Sequence, residues 1–235
     1  MQTVEMKEIA RIRTDFGEKF GIPRQSGLVE GLEGRIIFGP EYRDMDALRG
    51  LEGFSHLWLI WEFSENLRQG WSPTVRPPRL GGNTRMGVFA TRSPFRPNPI
   101  GLSCVKLVGI ENGQDGPVIV VSGADLMDGT PILDIKPYIP YADCRPEALG
   151  GFAQTMPDET LEVVMPYVLP QSMPKEKLSS LKSVLAHDPR PSYQDDPRRV
   201  YGISFAGHNV RFTVAGKTLV VTEISQMSVE QENNN

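Results

Sequence analysis

Residues 91–103 read TRSPFRPNPIGLS, and three prolines, Pro94, Pro97 and Pro99, dictate the backbone there. Each fixes its own φ and pushes the preceding residue out of the helical region. A helix cannot pass through this segment, so the spacing predicts an extended, stiff loop. The same punctuation runs along the whole chain. Gly 23 and Pro 20 together make about 18% of the 235 residues, against roughly 12% in average usage. Many turns and short extended pieces follow, and a long helical bundle is excluded.

Strand patterns fill the spaces between those turns. Residues 8–14 (EIARIRT) alternate apolar and polar side chains, and residues 32–38 (LEGRIIF) follow. Residues 54–63 (FSHLWLIWEF) are aromatic and β-branched, the signature of a buried central strand. Residues 86–91, 100–110, 117–122 and 132–135 are further strand candidates, which predicts an antiparallel sheet or barrel. Met45, Leu48 and Leu51 predict a short helix over residues 42–51, and residues 68–84 read as a long loop. Composition shifts after residue 156, which divides the chain into units of residues 1–156 and 157–235. In the second unit, Leu178, Leu181, Val184 and Leu185 share one face of an expected helix over residues 174–187. Three strands, at residues 200–205, 209–214 and 218–224, turn at Gly207 and Gly216. The terminal QENNN is expected to fray. The fold class is mainly β, with a small α+β C-terminal unit.

Charge is distributed unevenly. The formal net charge is −4, yet no acidic residue lies between Glu65 and Glu111. That stretch carries Arg68, Arg76, Arg79, Arg85, Arg92, Arg96 and Lys106, a local +7 that leaves −11 for the rest. Seven cations without a counter-charge in sequence point to an anion-binding surface rather than a solvated loop. Arginine predominates, and its planar fork suits phosphate and carboxylate.

Several classes are excluded. No run of 18 apolar residues exists, and the N-terminus has no signal-peptide apolar region, so a cytoplasmic protein without membrane contact is expected. Two cysteines and three histidines do not cluster as zinc ligands, so no metal is expected. GxGxxG after a strand, GxxxxGK[ST], GxSxG and HExxH are all missing.

Three segments can carry chemistry. Arg92 and Arg96 flank Phe95 on the proline-stiffened loop, as cations whose placement costs little entropy. Asp134, Lys136 and Tyr138 are spaced i, i+2, i+4, on one face of an extended chain, with Leu133 and Ile135 opposite. A carboxylate, an ammonium and a phenol in a row could be an acid/base array or a surface ion pair; spacing does not separate the two. Residues 23–25 (PRQ) offer polar groups after the first strand. His56, inside an apolar strand, reads as a core histidine.

Residues 92–103 (RSPFRPNPIGLS), residues 128–138 (DGTPILDIKPY) and the upstream PRQ together resemble the TsaA-like family, a match that spans roughly residues 5–145 and continues into the small C-terminal unit. The resemblance implies an antiparallel β-barrel that binds S-adenosyl-L-methionine without a Rossmann fold, and a homodimer with the cofactor near the subunit interface. It implies methyl transfer to N6 of threonylcarbamoyladenosine beside the anticodon of tRNA. Carried over by motif, the cofactor-site candidates are Pro23, Arg24, Gln25, Arg92, Leu102, and Asp125, Leu126, Met127, Asp128, Gly129 and Thr130. Phe63 and Ser64 are a looser carry-over. Such a substrate brings a carboxylate and phosphates, for which Arg76, Arg79, Arg92 and Arg96 are candidate clamps. N6 is a ureido nitrogen and a poor nucleophile until its proton leaves, which gives Asp134, Lys136 and Tyr138 their candidate catalytic role. A non-catalytic module binding the cofactor or RNA through the same basic surface is the alternative.

Overall fold

The computed structural model of the chain describes residues 2–29, 31–155, 161–166, 170–190 and 196–227, with the backbone alone at residues 67–69. The expected unit boundary at 156/157, the terminal QENNN and the side chain of Arg68 lie outside the described residues.

Six strands close into a barrel: β1 (Ala10–Arg13), β2 (Glu33–Phe38), β3 (His56–Glu62), β6 (Ile100–Gly113), β7 (Gly116–Ser122) and β8 (Pro131–Pro137), in the order β1-β2-β7-β6-β3-β8. Every pairing is antiparallel, and β8 returns to β1 at Ile132↔Ala10. Closure removes the exposed edges that an open sheet would present. The interior follows the alternation of β3: Leu57, Leu59 and Trp61 point inward onto Ile12, Ile36, Val105, Ile119, Val121 and Ile132. A two-stranded ribbon, β4 (Thr74–Val75) with β5 (Met86–Gly87), stands on the long loop after β3. One turn of helix, α1 (Pro140–Asp143), follows β8.

The C-terminal sheet contains β9 (Glu162–Val164), β10 (Tyr201–Phe205), β11 (His208–Ala215) and β12 (Thr218–Gln226), with β9 parallel to β12. The helix α2 (Lys175–Ala186) buries Leu181, Val184 and Leu185 against this sheet. Phe16, Val29 and Leu32, from the segment joining β1 to β2, belong to the same core. Burying side chains of this size is worth about 1.5–3 kcal/mol each, so these three outweigh any single ion pair across the contact. One such pair exists, Lys177 Nζ to Asp15 Oδ2 at 2.5 Å.

Four expectations need correction. The helix expected over residues 42–51 is a series of 3₁₀ turns, because Gly50 at φ 86° breaks the run between Met45–Leu48 and Leu51–Gly53. The strand expected over residues 86–91 stops at Gly87 and becomes the 3₁₀ turn Val88–Ala90. Its carbonyls turn away from the ladder: Arg96 Nη1 takes the Val88 and Thr91 oxygens at 3.1 and 2.7 Å. Leu133 does not alternate with Ile135. Trp61 pairs with Ile132 while Ile60 pairs with Asp134, so Leu133 is the extra residue of a β-bulge. His56 is half-buried on the outer barrel face and lies outside the core.

Candidate functional site

The β3 and β6 strands meet at a narrow point where Trp61 opposes Gly101. A Cβ on residue 101 would stand 2.2–2.6 Å from the Trp61 ring, so only glycine lets the indole lie flat across β6. There Trp61 Nε1 donates to Ser103 Oγ at 3.0 Å, and Ser103 Oγ donates to Asp125 Oδ1 at 2.6 Å. Trp61, Ser103 and Asp125 form a connected chain of polar groups at one end of the barrel. Burial pushes the Asp125 carboxyl above its ordinary range, against the hydrogen bond from Ser103, backbone N–H groups and the positive charge of Arg92.

This end opens into a cleft of about 340 Å³. Its walls include Arg24, Arg92 and Arg96 as cations, Trp61 and Phe63 as aromatics, and Asp125 as the one carboxyl among the described residues lining it. Gln25 holds the Arg92 guanidinium through its side-chain oxygen, and Arg24 Nη2 donates to the Arg190 carbonyl at 3.2 Å. The segment carrying Arg24 and Gln25 is stitched to the barrel by Cys104 N to Ser26 Oγ at 3.1 Å and Gly27 N to Gly123 O at 2.9 Å.

The proline loop that supplies Arg92 and Arg96 bends back on itself instead of running extended. Arg96 N donates to Pro94 O at 2.8 Å, and Ser93 N and Phe95 N donate to the hydroxyls of Thr91 and Ser93. Proline removes donors and limits φ, and these short-range bonds then fix the loop without a ladder. Arg96 spends one guanidinium nitrogen on two loop carbonyls, so part of its role is to hold the loop.

Pro23, Arg24, Gln25, Phe63, Arg92, Leu102 and Asp125 line one cleft together with Arg96. Ser64 follows Phe63 at the start of a 3₁₀ turn and is not among the lining residues. Leu126 is buried in the barrel core, and Asp128 receives Arg13 Nη1 and Thr14 N at 2.9 Å each. Thr130 Oγ1 donates to Met127 O at 2.7 Å, and Gly129 sits at φ 77°, a conformation a side chain disfavours. Leu126, Met127, Asp128, Gly129 and Thr130 thus build the turn that presents Asp125. Trp61, Ser103, Thr91, Ile100 and Gly101 complete the cleft or its floor and were not singled out from the sequence. Thr91, Ile100, Gly101 and Ser103 belong to the 91–103 segment and Trp61 to the aromatic strand, but neither segment marks which of its residues reach the cleft.

Asp134, Lys136 and Tyr138 are placed elsewhere. Asp134 opposes Ile60 and Lys136 opposes Trp58, on the outer face of β8. Lys136 Nζ lies 2.8 Å from Asp134 Oδ2, with side chains 61% and 41% exposed. Ile60 is flanked on its other side by Leu102 of the cleft. Two strand spacings, about 10 Å, therefore separate Asp134 from the cleft edge on one face. Tyr138 packs on Trp58 at 5.8 Å between ring centroids. Desolvation, with Cys144 beside it, pushes its phenol up, so at neutral pH it can donate a hydrogen bond but not serve as a base.

Arg76 and Arg79 stand exposed on the long loop, Arg79 Nη2 reaching Thr155 Oγ1 at 3.4 Å. Among the described residues, none of Arg76, Arg79, Arg85, Arg92 or Arg96 has a carboxylate within ion-pair distance. No three His, Cys, Asp or Glu side chains among the described residues group as metal ligands, and no helix there is long and apolar enough to cross a membrane.

Residues 11–144 match the family model of the tRNA-methyltransferase O N-terminal domain, and residues 165–227 match the model of the TrmO C-terminal domain. The chain is 42% identical over 222 residues to the tRNA (adenine(37)-N6)-methyltransferase of Escherichia coli K12, covering 91% of this chain and 94% of that one. A Pseudomonas aeruginosa protein, provisionally named an S-adenosylmethionine-dependent methyltransferase, is 43% identical over 208 residues, 86% of this chain and 88% of that one. A crystal structure of TrmO from P. aeruginosa superposes with a TM-score of 0.78 at 35% identity, covering 96% of this chain and 98% of that one.

Proposed function

The chain belongs to the tRNA-methyltransferase O family, and from that membership we propose that it methylates N6 of threonylcarbamoyladenosine at position 37 of tRNA, with S-adenosyl-L-methionine as donor. At the coarser level it is a tRNA N6-adenine methyltransferase. The observation that carries the finer reading is the cleft, whose described lining combines three guanidinium side chains, one carboxyl and two aromatic rings.

That set of groups fits the donor. A zwitterionic amino-acid end needs a cation for its carboxylate and an acceptor for its ammonium, and Arg92 and Asp125 are the pair this chain offers. Trp61 and Phe63, 4.3 Å apart between centroids, offer an aromatic surface for an adenine. Bound there, the sulfonium would supply an activated methyl group.

The chain's own residues would do the rest. Arg24 and Arg96 at the rim would hold the threonyl carboxylate and orient the base, which converts much of the reaction into positioning. The N6 proton must leave as the nitrogen attacks, and Asp134, with Lys136 beside it, is the proposed acceptor. Its distance from the cleft is accommodated in a homodimer. Leu102, Ile100, Ile60 and Trp58 make an apolar strip on the outer face, and a second copy would cover it. A two-fold pairing over that strip would set the Asp134 row of one copy beside the Leu102 edge of the other. A cytoplasmic location accords with a tRNA substrate.

Methyl transfer from labelled S-adenosyl-L-methionine to tRNA with and without the threonylcarbamoyl group tests this. The modified tRNA is expected to be preferred by about 10⁴ or more, because a site built for the carboxylate leaves arginines unpaired without it. Equal rates on both would overturn the finer reading.

A further inference from the structure

Two large apolar rings stand in solvent beside the cleft. Phe89 is 73% exposed and Trp71 is 56% exposed. Exposed rings in one region of the fold mark a surface with a partner more often than they serve the core. Phe89 sits in the turn Val88–Ala90, which is anchored from below by the buried Val88. The Arg96 guanidinium lies 5.7 Å from the Phe89 ring centroid, but the Val88 and Thr91 carbonyls already hold it. The loop therefore displays Phe89 without depending on it.

Backbone pairing brings the two rings into one neighbourhood. Thr74 pairs with Gly87, Val75 with Met86, and Val88 N donates to Pro73 O at 3.0 Å, so Trp71 and Phe89 flank the same ribbon. Ser72 N donates to Phe95 O at 3.1 Å, which ties the Trp71 side to the loop bearing Arg92 and Arg96. Arg76, Arg79 and Arg85 are exposed on this ribbon and the loop between its strands. Thr91 and Arg96, which continue the Phe89 segment, line the cleft. Rings and cations with no ion-pair partner among the described residues thus share its mouth.

We propose that Phe89 and Trp71 form a stacking platform for the unpaired bases on either side of the methylated adenosine, with Arg76, Arg79 and Arg85 on the neighbouring phosphates. The inference rests on the tRNA reading above. A base must leave its stack before chemistry can be done on N6, and its neighbours then lose a π-face. Aromatic rings replace that face whatever the neighbouring base is, while arginines follow the backbone. Local positive charge with no ion-pair partner among the described residues fits a polyanion and opposes most apolar protein surfaces.

Binding of a fluorescently labelled anticodon stem-loop RNA across a salt series tests the platform, alongside kcat and KM on full-length tRNA. Phe89→Ala is expected to weaken binding about tenfold or more. The slope of log affinity against log salt should stay as in wild type, since no phosphate contact is lost. Phe89→Trp should bind as wild type, and Phe89→Leu should bind as poorly as Phe89→Ala. Trp71→Ala should show the same loss, with Trp71→Phe retaining affinity. Affinity of Phe89→Ala within twofold of wild type overturns the proposal. So does full affinity in Phe89→Leu, which would mark an apolar protein-docking patch instead. A wild-type protein that binds the stem-loop in a ring-dependent way yet never methylates tRNA would refute the methyltransferase reading and leave the platform standing. Normal turnover with ring-independent binding would refute the platform alone.

Discussion

Ser103 Oγ donates a 2.6 Å hydrogen bond to Asp125 Oδ1 while accepting one from Trp61 Nε1 at 3.0 Å. The hydroxyl uses its proton on the carboxyl and a lone pair on the indole, so both neighbours are fixed by one side chain.

Burial holds the Asp125 carboxyl above its ordinary value, so the folded protein binds this proton more tightly than the unfolded chain does. Its contribution to stability is fully present below the unfolded pKa and is lost as pH rises through the raised folded value. Asp125→Asn keeps an oxygen for Ser103 and removes that loss. We expect its Tm to exceed wild type by about 2–4 °C at pH 8, an advantage that disappears by about pH 4. S-adenosyl-L-methionine affinity should fall in the same variant. Thermal denaturation at several pH values and cofactor titration check both halves.

Gly101→Ala should displace the Trp61 indole, which a Cβ would approach to 2.2 Å. The expected loss of stability is about 1–3 kcal/mol, as for other overpacked sites. Cofactor KM should rise while tRNA binding changes little. Intrinsic tryptophan fluorescence and denaturant titration would report the displacement.

For the Asp134 row, charge and bulk separate cleanly. Asp134→Asn should lower kcat by about 10²–10⁴ with cofactor affinity preserved. Stability should hardly move, because an exposed ion pair is worth only about 0–1 kcal/mol. Turnover within a few-fold of wild type would reduce the Lys136 contact to a surface ion pair.

A site shared between two subunits, as proposed, has its own signature. Arg92→Ala and Asp134→Asn chains, each nearly inactive alone, should regain activity when co-expressed as mixed dimers, since one of the two sites is then intact. Absence of recovery in isolated mixed dimers would place both residues in one subunit's site.

Arg76→Ala with Arg79→Ala should flatten the log–log salt dependence of tRNA binding by about one to two units. An unchanged slope would move the phosphate contacts to Arg198, Arg199 and Arg211 in the C-terminal unit.

Strand phase carried most of what the sequence told about the barrel. Apolar and polar residues alternate over residues 8–14, and Ala10 and Ile12 are the buried ones, while the hairpin glycines Gly207 and Gly216 sit at φ 71° and 57° where a turn needs them. The misses are non-local. Leu133 looks like any alternating residue until Trp61 and Ile60 fix the register across the bulge. Phe16 and Val29 lie in a stretch without periodicity, Leu32 at the edge of a strand pattern, and what they bury against lies over 100 residues away. The cleft was legible in its motif residues, Arg24, Gln25, Arg92 and Asp125, but the link from Trp61 to Ser103 spans 42 residues and leaves no local pattern. The β9 strand escaped for a related reason, since a three-residue parallel edge has too few positions to show a period.

The segment from Asp15 to Leu32 has hydrophobic side chains in the C-terminal core and the polar side chains of Arg24 and Gln25 at the barrel's cleft. Phe16, Val29 and Leu32 pack with α2 and the C-terminal sheet, while Arg24 and Gln25 between them line the cleft. Heating therefore cannot melt the C-terminal unit and spare the cleft, because the same stretch of chain is released from both. Ligand binding at the barrel should protect amide hydrogens of α2 and β10–β12 from exchange. Cutting the chain between the units would cost the barrel a wall as well as an appendage.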